Sequence, residues 1–533
     1  MLYRKSLALL LVSAIIVSSA LFSEPVSIEK AKIVAINHFS ERTGLSPEGF
    51  KIENVLIDER SPDTLFYIIN TGDPQAGFVI VSADDATVPV LGYVFHQKFK
   101  ATGQYPQQFD EMLENFRKQI LVAKKNVVVV SPMVAGEWER LSVNPKNFEG
   151  SKQFENVSPL ISTTWDQDWP YNELCPAAGG GPGGHVYAGC VAVAMAQVMK
   201  YWSHPVQGTG SHGYTHYLYG YQFADFGSTT YQWANMPHSI TSGNIELATL
   251  MYHCGVAVDM NYGTTGSGAT LDGYNGACEA LKNYFNYDPE AYHAKKFQYE
   301  DTTWRNMILN ELHNGRPLVY GGWDGWTGHA WNLDGYEKVG DIYHYHMNWG
   351  WSGGYNGYFY LDDLSPGYHN YTSGQEAIFN LYPYAANRIS CYPQNNDYWT
   401  GTTNSSAKTE TSLVFGTDPE DGWMSFDISG IPDGSTIYAV SFSGYVYERY
   451  KPNWSITPVS VDPVTATSVD LHEDIVAEQS TGYYFHQNET NINHPVDWRV
   501  YMLEGTANED LQTSLTTNKF TVGIANDYSS YTR

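Results

Sequence analysis

The feature that most constrains the fold is a run that is apolar nearly all round, from Val191 to Trp202. Such a run predicts a helix buried on every side, and therefore a core large enough to enclose it. Directly before it come Gly189 and Cys190, which follow a glycine-rich loop at 177–184. The start of a helix carries partial positive charge, which favours the thiolate form of a cysteine placed there. Cys190 is therefore a candidate nucleophile, and Gly189 allows another backbone or a ligand to approach closely.

The other cysteines fit a packing role better, because buried free thiols are common. Cys254 and Cys278 lie in apolar helical surroundings without a glycine-rich stretch before them, whereas Cys175 precedes a proline and Cys391 lies at a unit boundary. The five cysteines are few, odd in number and widely spaced, and they form no Cys-x-x-Cys pair. This pattern argues against a disulfide framework and against a zinc or redox site. No metal and no other cofactor are expected.

A nucleophilic cysteine needs a base, which can be distant in sequence. Among 17 histidines, His329 stands out because Gly328 and His329 open a strand-like run with an apolar face. The rival bases, His344 and His346, share one face of a later strand, where a structural or surface role is favoured. That strand ends at Asn348, before a turn rich in Gly and Trp. Asn348 is therefore predicted to orient the imidazole, by the logic of nucleophile, base and orienting group.

Length and composition divide the chain into several units, because 533 residues exceed one ordinary domain. Arg4 and Lys5 precede an apolar run that is short for a bilayer span, which predicts a cleaved signal peptide rather than a membrane anchor. The units expected are a signal peptide at 1–23, an α+β unit at 24–150, a middle unit at 151–385 and a final unit at 386–533. The net charge of -27 argues against a nucleic-acid partner.

The unit at 24–150 shows both helical and strand periodicity. Ser27 is a candidate cap for a helix over 28–39, and strand-like runs follow at 66–69 and 77–82. A second amphipathic helix is predicted over 109–120. The segment from Pro132 to Glu155 is polar and weakly patterned, which predicts an exposed linker or processing site.

The final unit changes character, with many Thr, Ser, Asp and Asn residues and short alternating runs such as 436–447. Together with turn residues at 432–434, this pattern predicts an all-β antiparallel sandwich. The chain stops at Arg533, just after a strand-like run at 520–524. That ending favours a natural protein that continues further.

Five segments, in this order, resemble the streptopain family of bacterial papain-like cysteine proteases. They are Trp165-Asp-Gln-Asp-Trp-Pro-Tyr-Asn, Gly189-Cys-Val-Ala-Val-Ala-Met-Ala-Gln-Val-Met-Lys-Tyr, Gly255-Val-Ala-Val-Asp-Met-Asn-Tyr-Gly, Gly328-His-Ala-Trp-Asn-Leu-Asp-Gly and His346-Met-Asn-Trp-Gly-Trp. His329 follows Cys190 by 139 residues, within the range of about 130 to 150 in the papain arrangement. The resemblance covers most of residues 155–385 and implies a papain-like α+β fold, with a helical part and an antiparallel β part.

The resemblance also implies roles for individual residues. Cys190 is the implied nucleophile and His329 the general base and then acid. Gln167 is the implied oxyanion donor, 23 residues before Cys190, and Asn348 with Trp349 matches the region that supports the histidine. The loop at 262–268 corresponds to a segment that faces the substrate. The implied substrate contacts are Ser267, Gly328 and Trp349.

At the level of the whole protein, the resemblance implies a secreted bacterial endopeptidase that is released or held at the cell surface. Its expected partners are protein or peptide substrates and its own propeptide, the unit at 24–150, acting as inhibitor. The final unit has no counterpart in streptopain and is assigned to binding a cell surface or carbohydrate, or to a spacer role. Two alternatives stay open. One is a thiol acyltransferase of the transglutaminase kind, and the other is an inactive relative that serves as an adhesin or binding module.

Overall fold

The structure, a computed structural model, gives the arrangement of most of the chain. The residues it describes are 23–57, 60–72, 76–101, 105–125, 130–150, 154–323, 328–362, 364, 374–384, 389, 391–393, 400–403, 406–410, 421–435, 437, 440–446, 453–477, 483–488, 497–503 and 506–526. The predicted signal peptide, except residue 23, lies outside this set. Within these ranges, no helix has the length and apolar character needed to cross a membrane.

The N-terminal unit packs three helices against a four-stranded antiparallel sheet, as an α+β unit. Ser27 caps the first helix, because its Oγ accepts a hydrogen bond of 3.2 Å from the N–H of Lys30. The buried face of this helix includes Val34 and Phe39. The elements are α1 (Ile28–Thr43), β1 (Ile52–Ile57), β2 (Phe66–Thr71), β3 (Gly77–Ser82), β4 (Val90–Phe95), α2 (Gln107–Lys125) and α3 (Pro132–Leu141).

Helix α3 corrects the prediction of an exposed linker from Pro132 to Glu155. Ser131 caps the helix by accepting from the N–H of Val134, and Pro132 occupies its first turn. Val134 and Trp138 are buried on one face, and the indole of Trp138 donates to the carbonyl of Thr87 at 2.7 Å. Among the described residues of this segment, the stretch at 142–150 is largely exposed. Val134, Trp138 and Leu141 are the buried residues of α3, and three apolar positions in so polar a segment are too weak a pattern to indicate a helix.

The middle unit combines a helical part with antiparallel strands. The apolar run of the sequence forms α4, whose residues from Cys190 to Met199 are all buried in a core with α5 and α6. The described elements are β5 (Phe154–Val157), α4 (Cys190–Trp202), β6 (Ser211–His216), β7 (Gly220–Asp225), α5 (Ile245–Ala257), α6 (Ala277–Phe285), β8 (Tyr292–Lys295), α7 (Asp301–His313), β9 (Leu318–Trp323), β10 (Gly328–Val339), β11 (Ile342–Asn348), β12 (Gly357–Phe359) and β13 (Gln375–Phe379).

One antiparallel sheet runs through both units. Its strand order is β1-β2-β3-β4-β12-β11-β10-β9-β13-β8, with β5 paired to β10. The junction is the pairing of β4 with β12, in which Tyr93 faces Tyr358 and Gly92 faces Phe359. The two aromatic rings of the first pair stack with centroids 5.3 Å apart. The N-terminal unit therefore covers a strand edge of the middle unit.

The final unit contains the predicted strands and adds two helices to them. A six-stranded sheet and a two-stranded sheet share a core that includes Phe442, Ile456 and Val522, consistent with a sandwich. The described elements are β14 (Thr400–Thr403), β15 (Lys408–Glu410), β16 (Asp421–Asp427), β17 (Val440–Val446), β18 (Asn453–Pro458), α8 (Ser468–Ala477), β19 (Phe485–Asn488), β20 (Asp497–Leu503), α9 (Ala507–Ser514) and β21 (Lys519–Asn526). The prediction of an all-β unit is thus correct for the sheets but omitted α8 and α9.

Candidate active site

Cys190 is the first residue of α4, at the positive end of the helix dipole. Its side chain is reached by the backbone of β10, because the N–H of Ala330 lies 3.5 Å from Cys190 Sγ. Gly189 before it has φ 96°, a conformation that side chains disfavour. A Cβ on Gly189 would also lie 2.7 Å from Met260 Sδ. The loop therefore requires glycine at this position to present the thiol.

His329 is the second residue of β10 and lies directly before Ala330, so α4 and β10 bring the predicted nucleophile and base together. The side chain of His329 is 16% exposed. Burial alone would lower the pKa of His329, but interactions with Cys190 and Glu111 outweigh this and raise that pKa to about 10. The imidazole is therefore protonated at neutral pH in this arrangement.

Glu111 is a residue of the site that the sequence did not indicate. It lies on α2 of the N-terminal unit, and its Oε1 forms an ion pair with His329 Nε2 at 3.1 Å. On the same helix, Gln108 donates hydrogen bonds to the carbonyls of Ala330, at 3.3 Å, and Trp349, at 3.2 Å. Both polar side chains flank the apolar face of α2. The prediction of this helix rests on its hydrophobic residues alone and therefore gives no role to the polar ones. The N-terminal unit thus contacts both the strand of His329 and the turn after β11.

The described contacts of Asn348 differ from its predicted role. Its Nδ2 donates to the carbonyl of Thr163 at 2.7 Å, and its Oδ1 accepts from Gln197 at 3.2 Å and from the N–H of Gly350 at 3.3 Å. The Nε2 of His329 faces Glu111 instead. In this structure, therefore, Asn348 supports the elements around the site, and its orienting role stays a prediction.

Hydrogen bonds fix both the backbone N–H and the backbone carbonyl of Gln167. Gln167 N–H donates to Asp166 Oδ1 at 2.7 Å, and its carbonyl accepts from the N–H of Ala188 at 2.8 Å. The other carboxylate oxygen of Asp166 accepts from Ser352 Oγ at 2.7 Å. Burial raises the pKa of Asp166, and burial together with the charge of Asp166 raises the pKa of Asp168 to about 6. The half-buried Gln167 is thereby tied to the stretch that leads into Cys190.

The three predicted substrate contacts occupy different settings. Ser267 is buried, and its hydroxyl donates to the carbonyl of Tyr187 at 2.7 Å, while its own carbonyl lies beside Gly189. Gly328 is exposed at the start of β10. Trp349 is buried, with its ring centroid 6.2 Å from that of Phe109 on α2. The structure thus brings Ser267 and Gly328 to the surroundings of Cys190 and His329, whereas Trp349 lies beneath the N-terminal unit.

The rival thiols and imidazoles are engaged in packing or pairing. Burial raises the pKa of Cys175 to about 12 and of Cys278 to about 11, and it raises the pKa of Cys254 further. His344 is buried against the N-terminal unit, where burial and the charge of Arg42 lower its pKa to about 3. His346 pairs with Asp334 at 2.6 Å. The predictions of packing roles for Cys254 and Cys278 and of a structural role for His344 agree with these surroundings.

A thiol at the start of a buried helix beside an imidazole on a strand is the arrangement of cysteine peptidases. Sequence profiles agree with this class: that of the peptidase C10 family matches residues 165–359, and that of the Spi protease inhibitor matches residues 23–120. Over residues 165–359 the chain is therefore similar to the peptidase C10 family, a family of cysteine peptidases.

Individual relatives show how far the similarity extends. The thiol protease/hemagglutinin PrtT of Porphyromonas gingivalis is 29% identical over 388 residues, covering 67% of this chain and 42% of that protein. Streptopain of Streptococcus pyogenes is 29% identical over 356 residues, covering 63% of this chain and 83% of streptopain. A solved fragment of prointerpain A from Prevotella intermedia is 33% identical, with 62% of this chain and 99% of the fragment covered and a TM-score of 0.48. The chain thus spans less than half the length of PrtT.

Proposed function

We propose that the chain is the precursor of a secreted cysteine endopeptidase that is inactive until its N-terminal unit is removed. The observation that carries the proposal is the meeting of Cys190, at the start of α4, with the His329 strand, through the 3.5 Å contact of Ala330 N–H with Cys190 Sγ. The similarity of residues 165–359 to a cysteine peptidase family supports the same reaction class. Secretion rests on the signal-peptide pattern of residues 1–23.

In the proposed reaction, the Cys190 thiolate attacks the carbonyl carbon of a peptide bond, and the carbonyl oxygen becomes an oxyanion. The side chain of Gln167 and the backbone N–H of Cys190 stabilise that oxyanion. Protonated His329 then gives its proton to the leaving amine as the C–N bond breaks. Neutral His329 next takes a proton from water as the water oxygen attacks the thioester carbon. The C–S bond then breaks, which releases the carboxylic acid and restores the Cys190 thiolate and protonated His329.

Latency is proposed to come from the unit at 24–150. Its α2 contacts His329 through Glu111 and the Ala330 and Trp349 carbonyls through Gln108. Maturation is proposed to cut the exposed stretch at 142–150, after which the catalytic unit would extend to about residue 385. Strand β5, which pairs with β10, then stays with the catalytic unit.

The unit at 386–533 is proposed to attach the enzyme to a cell surface or carbohydrate, or to act as a spacer. One relative carries the name thiol protease/hemagglutinin, which supports a binding role. We disfavour the alternative of an inactive adhesin because Cys190, His329, Gln167 and Asn348 are all present in the sequence.

The test compares the precursor with its Cys190→Ala variant under reducing conditions, by gel and by casein cleavage. The parent should lose its N-terminal unit and degrade casein, and the variant should do neither. Cys391→Ala is the matched control, because Cys391 is a free thiol in the final unit. If the parent is still inert after an added protease has removed the N-terminal unit, the endopeptidase proposal is wrong and the binding role is favoured.

A further inference from the structure

Gln197 is a polar residue within the apolar helix α4, two turns after Cys190, and it is fully buried. Its Oε1 accepts hydrogen bonds from Thr163 Oγ1, at 3.0 Å, and from the N–H of Trp165, at 3.2 Å. Its Nε2 donates to Asn332 Oδ1 at 2.9 Å and to Asn348 Oδ1 at 3.2 Å. The side-chain amide of Gln197 therefore uses both lone pairs of Oε1 and both N–H groups of Nε2.

The partners of Gln197 belong to three different parts of the active site. Thr163 and Trp165 lie on the segment that leads to Gln167, and Asn332 follows His329 by three residues on β10. Asn348 ends β11. One side chain on the Cys190 helix thus joins the segment of the proposed oxyanion donor, the strand of the base and the strand beside it.

The partners also bond back to the same elements, so that the network is closed. Asn332 Nδ2 donates to the carbonyl of Ala194 on α4 at 3.0 Å, and Asn348 Nδ2 donates to the carbonyl of Thr163 at 2.7 Å. Burying polar amides lowers stability unless every group is paired, whereas a fully paired buried network fixes the position of its members. An apolar side chain would fill the same space without specifying the distance between these elements.

We propose that Gln197 is a positioning residue of the peptidase, which sets the placement of Cys190, His329 and Gln167 relative to one another. This inference rests on the proposed function and deepens it. The network lies behind the reacting groups and does not include the substrate-facing loop at 262–268. Its loss should therefore lower kcat and leave KM nearly unchanged, because a displacement of about 1 Å between reacting groups can cost about 100-fold in rate.

The experiment uses the full precursor, matured by a trace of active parent enzyme, with Gln197→Met and Gln197→Glu. Gln197→Met keeps the length of the side chain and removes all four hydrogen bonds. Its kcat on a fluorogenic peptide should fall by about 100-fold with KM within about threefold, and the pH midpoint for alkylation of Cys190 by iodoacetamide should move. Met195→Leu is the control, because Met195 is fully buried on the same helix. Met195→Leu conserves the volume of the side chain and should keep kcat within about threefold of the parent.

Gln197→Glu adds a readout that a general loss of packing would not produce. A protonated glutamic acid resembles the amide in shape and donates one hydrogen bond, whereas the carboxylate donates none. The ratio of variant to parent kcat should therefore rise as the pH falls. If Gln197→Met does not fold, the pH dependence of the kcat ratio for Gln197→Glu tests the inference by itself. A ratio that does not change with pH overturns the inference.

A kcat of Gln197→Met within about threefold of the parent also overturns the inference, as does a fall matched by Met195→Leu. Failure of the proposed function is distinct from these outcomes, because the parent itself would then be inactive or the Cys190→Ala variant active. A parent that depends on Cys190, together with an unaffected Gln197→Met, rejects only the positioning role.

Discussion

Glu111 and His329 form an ion pair between two units of one chain, with Oε1 and Nε2 3.1 Å apart. The carboxylate belongs to the unit expected to leave, and the imidazole belongs to the unit expected to act. As long as the pair is intact, the ring is held by a group outside the proposed catalytic set. This contact gives latency a specific chemical origin.

Replacing Glu111 by Gln should shorten the lag before maturation. An ion pair between partly exposed side chains contributes up to about 1 kcal/mol, so we expect the precursor to convert up to about fivefold faster at neutral pH. Conversion is followed on a gel from the first minutes. Glu114→Gln is the control, since Glu114 lies on the same helix, is half exposed and pairs with Arg117 of its own unit. Equal lag times for Glu111→Gln and the parent would contradict this role.

The same pair should weaken at alkaline pH. The pKa of His329 is raised to about 10 in the precursor, above its ordinary value near 6.5. A base with a raised pKa contributes stability that is complete below about pH 6.5 and is lost as the pH rises towards 10. Cys190→Ala removes the contribution of Cys190 to this raised pKa and leaves that of Glu111, so the free energy of unfolding of a Cys190→Ala precursor should fall above about pH 6.5, over a smaller range than in the parent. In Glu111→Gln on the same background, the fall should be smaller; curves that coincide would argue against the pair.

We expect His344 to lower the free energy of unfolding in acid. It is buried between the units, where its Nε2 donates to the carbonyl of Val90 at 2.9 Å and its ring lies 5.8 Å from that of His38. Burial and the charge of Arg42 lower the pKa of His344 to about 3. A base with a lowered pKa contributes stability that is present above about pH 6.5 and is lost as the pH falls towards 3.

The cost at pH 4 should be about 3 kcal/mol, from the ordinary pKa near 6.5 and the lowered one. Urea unfolding of the Cys190→Ala precursor between pH 7 and 4 measures it. His344→Gln keeps a donor for Val90 and should flatten the dependence, whereas His238→Gln, at an exposed histidine, should not. A parent whose stability is the same at pH 7 and pH 4 would exclude this role of His344.

Gly189 should tolerate no side chain. Alanine at Gly189 would adopt φ 96° and would place its Cβ 2.7 Å from Met260 Sδ. Gly184, in the same loop, has φ 87° with nothing within 4 Å of a Cβ, so Gly184→Ala carries the backbone strain alone, about 1 to 2 kcal/mol. We expect Gly189→Ala to lower kcat/KM more than Gly184→Ala does, because the side chain of Met260 and the carbonyl of Ser267, 3.2 Å from the same Cβ, would have to shift beside Cys190. Similar values for the two variants would mean that strain, and not the contact with Met260, is what matters.

The sequence predicted the parts of the site whose signals are local. A thiol at the start of an apolar run and a histidine at the start of a strand are each visible in a short window, and Cys190 and His329 are brought together as expected. The capped helix α1 and two strands of the first unit, β2 and β3, are equally visible. These features depend on periodicity and capping, which neighbouring residues determine.

The contacts that depend on tertiary packing were not predictable. Glu111 and His329 are 218 residues apart, and nothing local distinguishes Glu111 from another acidic residue on an amphipathic helix. Asn348, the last residue of β11, is predicted to orient the imidazole, and that role stays a prediction; the hydrogen bond of its amide with Gln197 was not predictable from the sequence. Gln197 itself carried a usable signal, a polar residue in an otherwise apolar helix, and that signal was overlooked.

Site-specific alkylation tests the central claim most directly. The matured enzyme is treated with limiting iodoacetamide, and residual peptidase activity is compared with the modified fraction of each cysteine by peptide mass spectrometry. Activity should fall in proportion to carbamidomethylation of Cys190, while Cys175, Cys254 and Cys278, all buried, stay unmodified. An enzyme that keeps its activity with Cys190 fully alkylated, or that is inactivated with Cys190 unmodified, would contradict the account.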